Sequence, residues 1–182
     1  MQKVLYILGQ LNDADVEWLI REGVRERYAK GEVLIEQGRP NESLFVLLEG
    51  HVAVSFQRTG TTEVLGSGEI LGEMSLIDAR LPSATVTAME PCYALRLEHA
   101  WIRRRVEEDL GFGMRFYRAL ATFLSHRLRG EQVLPFDAAT GLLEGREQTG
   151  ELDAFVLDNL HVAGARFDRL LKQLMSAPGE SS

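Results

Sequence analysis

Cysteine is almost missing from this chain. Cys92 stands alone among 182 residues, which excludes an internal disulfide framework and any thiolate-only zinc or iron–sulfur centre within one chain. Basic charge is also in deficit: 20 Lys and Arg face 27 Asp and Glu, a formal net charge of −7. An electrostatic grip on nucleic acid shows as a basic domain or stripe, so that activity is disfavoured. Long apolar runs are lacking, and none approaches the roughly 18 residues that a membrane span needs. The opening MQKVLYILGQLNDADVEWL turns acidic too soon for a signal peptide. These absences together predict a cytoplasmic protein with no membrane partner. Histidine is sparse too. His51, His99, His126 and His161 show no metal-ligand spacing, so no metal site is expected. A metal-dependent β-barrel enzyme would lack its ligands, with only His51 in the β-rich region. No residue is nominated as catalytic, and the chain reads as a non-enzyme.

What is present is an ordinary globular balance, 45% apolar and 26% charged, in three textures. Leu11 to Gly23 is helical in pattern, with Leu11 set to staple ahead of an Asn12 or Asp13 cap and Val16, Leu19 and Ile20 recurring at spacings of three and four. From about Val24 to Glu98 the chain breaks into short β-type runs: Val33–Glu36, Ser43–Glu49, His51–Phe56, Thr62–Leu65, Ala84–Met89 and Cys92–Leu97. Glycines fall between them, and Val52, Val54 and Phe56 alternate with Ala53 and Ser55 as one inward face should. Short strands with glycine corners predict a small barrel or jelly roll. From His99 the texture is helical again. Leu110–Arg129 carries Phe116, Leu120, Phe123, Leu124 and Leu128 on one face. A last helix is expected over about Glu151–Met175, with a heptad-like seam of Val156, Leu160, Ala163, Phe167, Leu170 and Leu174. The predicted organisation is a domain over 1–129, a linker over 130–150 and a C-terminal helix and tail over 151–182. Cys92, inside an apolar strand with no activating neighbour in sequence, reads as a small buried hydrophobe. The basic run Arg103–Arg105 is followed at once by Glu107, Glu108 and Asp109 and reads as a salt-bridged helix.

One stretch is more specific. Leu71–Ala88, LGEMSLIDARLPSATVTA, resembles the phosphate-binding cassette of cyclic nucleotide-binding domains, the module of bacterial cAMP-receptor regulators, cyclic-nucleotide-dependent kinases and gated channels. KGEVLIEQGRPNESLFVLLEGHVAVSF (Lys30–Phe56) is similar to the strands that precede the cassette in that family, and the resemblance extends over about Leu11–Arg129. It implies an α+β, mainly β fold: a double-stranded β-helix or jelly-roll β-roll with an N-terminal helix and C-terminal helices. Physically, Gly72 lets backbone approach closely. The amides of Glu73, Met74 and Ser75 open a short helical turn suited to an anion. The resemblance assigns Glu73 to a ribose 2′-hydroxyl, and Ser83 with the Ser83 and Ala84 amides to a cyclic phosphate; a helix-capping or ion-pairing role for Glu73 stays open beside this.

The chain departs from the family where an arginine would pair with the phosphate, because Pro82 stands there and brings neither charge nor an N–H. Removing one partner of a buried charge pair costs roughly 2–5 kcal/mol. At about 1.4 kcal/mol per decade, that weakens a cyclic mononucleotide such as cAMP or cGMP by about one to three powers of ten. Arg80, two residues upstream, either reaches into the same pocket or stays a solvated surface group. No other cofactor is expected. The sequence therefore supports a regulatory module that senses a small ligand and relays occupancy through its C-terminal helices. The alternative is a degenerate module that binds no cyclic nucleotide and serves as a dimeric interaction scaffold. A cAMP-receptor-type transcription regulator is the third reading, disfavoured because no helix-turn-helix with a basic recognition helix can be read after the long helix. A homodimer through Phe116, Leu120, Phe123 and Leu124, and a protein partner at the C-terminal helices, are expected; direct contact with nucleic acid is not.

Overall fold

The computed structural model describes residues 3–78, 80–128 and 154–176. Two helices lead, α1 (Lys3–Gln10) and α2 (Asp13–Glu22). The Asn12 side chain accepts from the Asp15 N–H and the Asp15 carboxylate accepts from the Asn12 N–H, both at 2.9 Å. This reciprocal cap fixes the start of α2. Eight strands follow: β1 (Val24–Tyr28), β2 (Val33–Ile35), β3 (Ser43–Glu49), β4 (Val52–Phe56), β5 (Thr61–Leu65), β6 (Ile70–Leu71), β7 (Thr85–Ala88) and β8 (Cys92–Glu98). The short helix α3 (Glu73–Asp78) lies between β6 and β7, and α4 (His99–Glu108), α5 (Leu110–Leu128) and α6 (Ala154–Ser176) complete the order.

The strands form two antiparallel sheets, ordered β1-β8-β3-β6 and β2-β7-β4-β5. Strand β3 shows how they stack. Its residues Leu44, Val46 and Leu48 enter the core shared with the helices, whereas Phe45 and Leu47 enter the core between the sheets. Period-two alternation thus feeds two cores from one strand, and six of its seven residues are buried. Strand β8 does the same: Leu95 and Leu97 face the helices, and Cys92 and Ala94 face the second sheet. Cys92 is fully buried, and burial pushes its thiol pKa up. The helical core is aromatic, with Phe112 stacked on Phe116 and Trp18 tilted against Phe112.

This architecture corrects two expectations. The sheets are open and unclosed, each with two edge strands, so the strands do not form a closed β-roll, jelly roll or double-stranded β-helix. Nor is the fold mainly β, since the helices hold about twice as many residues as the strands. Strand length and glycine corners report where a strand stops but not which edges pair, and closure is decided by pairing. Two strands escaped notice. β1, VRERY, has no fully buried residue and so no apolar alternation, and β6 is two residues long. The expected linker, 130–150, lies outside the described residues. Of the seam on α6, Ala163, Phe167, Leu170 and Leu174 are buried; Val156 and Leu160 lie outside the described side chains. Among the described residues no helix is long and apolar enough to cross a membrane.

Candidate ligand site

The cassette begins where β6 ends. Gly72 takes φ +83°, and a Cβ there would sit 2.3 Å from the Ser43 carbonyl oxygen. Both facts demand glycine, and the close approach is to the chain's own β3 backbone. Glu73 opens α3 and is buried at 3% exposure, with Ser75 buried beside it. The Ser75 hydroxyl donates to the Arg80 carbonyl at 3.1 Å, tying the start of α3 to the loop that leads on to β7. Met74 points outward at 53% exposure. The return passes through Pro82, whose carbonyl accepts from the Gly38 N–H at 3.0 Å, then exposed Ser83 and buried Ala84 into β7.

Arg80 does not fold over Ser83. Its guanidinium stands 3.6 Å from Asp78 and is 86% exposed, and it lines a cavity of about 490 Å³ together with Ser43, Arg96 and Glu98. Ser75 and Leu81 also line that cavity; Glu73, Pro82 and Ser83 do not. The cavity thus takes in some cassette residues and not others.

His99, which the sequence offered only as one of four scattered histidines, occupies the joint behind the cassette. It is the first residue of α4, 2% exposed, and its backbone N–H donates to the Glu42 carbonyl at 2.8 Å. Burial pushes the imidazole pKa down to about 4, helped by the nearby Arg103 guanidinium and opposed by hydrogen bonds to the backbone of Gly72 and Ser43. No motif marks such a residue, because its role depends on β6, β3 and α4 meeting in space. Asn41 was missed as well: its side-chain amide makes a local bond to the Ser43 carbonyl at 2.7 Å, and only the fold brings it beside Gly72.

The joint continues into the long helix. Asp109 alone separates α4 from α5; its N–H donates to the Arg105 carbonyl and its carboxylate accepts from the Phe112 N–H, each at 2.9 Å. That second bond, with Arg105 nearby, holds the Asp109 carboxyl below the usual carboxylate range. On α5, Phe116, Leu120 and Phe123 are buried within the chain, and Leu124 is half-buried. The opposite face carries Leu110 at 79%, Met114 at 71% and Tyr117 at 38% exposure. In the basic run, Arg104 pairs with Glu108 at 2.8 Å and Arg105 with Asp109 at 2.9 Å, while Arg103 lines the same cavity as Arg80.

Comparison with known proteins agrees with the cassette. The family model described as "Cyclic nucleotide-binding domain" matches residues 25–109. The cAMP-activated global transcriptional regulator CRP of Pasteurella multocida is 27% identical over 134 residues, 71% of this chain and 64% of that protein. Glutaminase 2 of Bradyrhizobium diazoefficiens is 30% identical over 124 residues, 67% of this chain but 19% of that protein. The chain therefore spans less than two thirds of the length of these curated relatives. Among solved structures, the Thermus thermophilus catabolite activator protein superposes with a TM-score of 0.59 at 26% identity, over 69% of this chain and 59% of that one. The N-terminal domain of a transcriptional regulator from Streptomyces coelicolor does so with a TM-score of 0.59 at 26% identity, over 72% and 96%.

Proposed function

From the premise that residues 25–109 have the fold of a cyclic nucleotide-binding domain, a regulatory and non-enzymatic type, we propose that this chain senses a small cyclic-nucleotide-like ligand at Gly72–Ala84 and relays occupancy to α5. One observation carries the reading. His99, in the first turn of α4, is buried beside the backbone of Gly72 and Ser43, and α4 is joined to α5 through Asp109 alone. A ligand that prefers one position of the Gly72–Glu73 turn therefore biases the helices through a buried contact, as coupling requires. The second reading, a scaffold that binds no cyclic nucleotide, is favoured by Pro82 and by Arg80 lining a cavity whose walls omit Glu73 and Ser83. In either case the unit is a homodimer through the outer stripe of α5.

Titration of the full chain with cAMP and cGMP to millimolar concentration, read by thermal shift, separates the two. The sensor reading expects a rise in Tm that Glu73→Ala abolishes. It also expects Pro82→Arg to tighten binding by about one to three powers of ten. That substitution keeps the carbonyl that Gly38 uses. A flat response in the wild type and in Pro82→Arg leaves the scaffold reading.

A further inference from the structure

We propose that α6 is a strap whose hold on the N-terminal helices is set by the position of α5. The turn between α1 and α2 is gripped from two sides. On one side, Arg115 of α5 makes two bonds to the Asp15 carboxylate, at 2.7 and 2.9 Å. On the other, Arg166 of α6 donates to the carbonyls of Leu8 and Leu11 and to the Asp13 carboxylate. Arg169 of α6 adds ion pairs to Asp13 at 3.3 Å and to Glu17 at 3.5 Å. Two carboxylates of one helical turn, Asp13 and Asp15, therefore join α6 to α5. Helix α6 lies beyond residues 25–109, where the family model matches, so this junction belongs to the chain rather than to the shared domain.

The two grips differ in strength, which gives the junction a direction. Asp15 is 1% exposed, and stripping a buried carboxylate of its partner is strongly unfavourable. When α5 shifts, it therefore carries the turn along rather than releasing it, and the reciprocal bonds between Asn12 and Asp15 keep that turn rigid. Asp13 and Glu17 are exposed, at 65% and 63%, and ion pairs to such groups are weak and screened by salt. Nor can α6 simply follow the turn. Its far end is pinned to the first sheet, where Arg25 of β1 donates to the Leu174 carbonyl at 2.7 Å. A displaced turn thus pulls first on Arg166 and Arg169, and the half of α6 nearer them loosens. The use of this strap as an output of the ligand site rests on the sensor reading above; the mechanical link between α5 and α6 does not.

Hydrogen exchange of the full chain without ligand, read by mass spectrometry, tests the link. Replacing the buried pair together, Asp15→Asn/Arg115→Gln, frees α5 from the turn without leaving a charge stranded. The amides of residues 161–169 are expected to exchange about tenfold faster, with those of β3 and β8 unchanged. Should circular dichroism show that this variant does not fold, Arg115→Lys carries the same expectation at about threefold, because lysine keeps the charge but loses the two-pronged grip. Coupling is reciprocal, so Arg166→Ala/Arg169→Ala is expected to speed the α5 amides around Arg115 as well. Unchanged exchange of 161–169 in the first variant, unchanged exchange of α5 in the second, or equal acceleration of β3 and β8 in either, overturns the proposal. Saturation with cAMP or cGMP is expected to change the exchange of 161–169, and a bound nucleotide that leaves α6 unaltered overturns its use as an output. Failure of both nucleotides to bind, with the variants behaving as expected, removes the sensor reading and leaves the strap standing.

Discussion

His99 is neutral in the folded chain because burial disfavours its charge and Arg103 stands near it. Its folded pKa, about 4, lies below the ordinary 6.5. As pH falls below 6.5 the unfolded chain takes up a proton that the folded chain refuses, so stability present above 6.5 is lost progressively down to about 4. The loss amounts to about 3 kcal/mol. Urea unfolding at pH 7.5, 5 and 4 is expected to show it, and His99→Gln to flatten that part of the profile; an equal slope in the variant removes His99 as the cause. Asp13 and Asp109, both held low by arginine and hydrogen-bond partners, release their stability only below the usual carboxylate range, which keeps the windows apart. At this scale the sequence was legible where chemistry is local: the Asn12 cap, the buried Cys92 and the glycine at 72. It was silent on His99, whose backbone neighbours Glu42, Ser43 and Gly72 lie dozens of residues away.

The helices are tied by arginines that no periodicity reveals. Arg166 on α6 donates through Nη1 to the carbonyls of Leu8 at 2.9 Å and Leu11 at 2.6 Å, and through Nε to Asp13 at 2.8 Å. It thereby satisfies the Leu8 carbonyl in the last turn of α1, which has no intrahelical partner, and the Leu11 carbonyl just beyond it. Arg115 on α5 grips the buried Asp15 with two bonds, at 2.7 and 2.9 Å, fixing α2 to α5. Arg166→Ala is expected to speed hydrogen exchange of the α6 amides while β3 and β8 keep their protection. Unchanged α6 exchange would show that the apolar seam alone holds the helix. The extent of α6 was close to legible, expected over Glu151–Met175 and observed over Ala154–Ser176, because its seam repeats over several turns. That it lies against α1 was not legible, because a seam has no address.

For the whole molecule the open question is which apolar surface meets a partner. Phe116, Leu120 and Phe123 are spent inside the chain. The outer face of α5 offers Leu110, Met114, Tyr117, Ala121 and Leu124, a four-three-four-three stripe with its first two members more than two-thirds exposed. A stripe of this spacing suits a second copy of the same helix. Light scattering at tens of micromolar is expected to give a dimer, and Met114→Glu a monomer with an unchanged far-ultraviolet spectrum; a wild-type monomer rejects the interface. The sequence by itself determined the glycine turn at 72, the strand positions in most of the β region and the helical ends, because glycine conformation, alternation and capping are written within a few residues. Only the tertiary structure decided that the sheets stay open, that α5 turns its phenylalanines inward, and that Arg80 lines a cavity whose walls omit Ser83. Each of those depends on which edges and faces meet, and side-chain pattern carries the presence of a face without naming the surface that covers it.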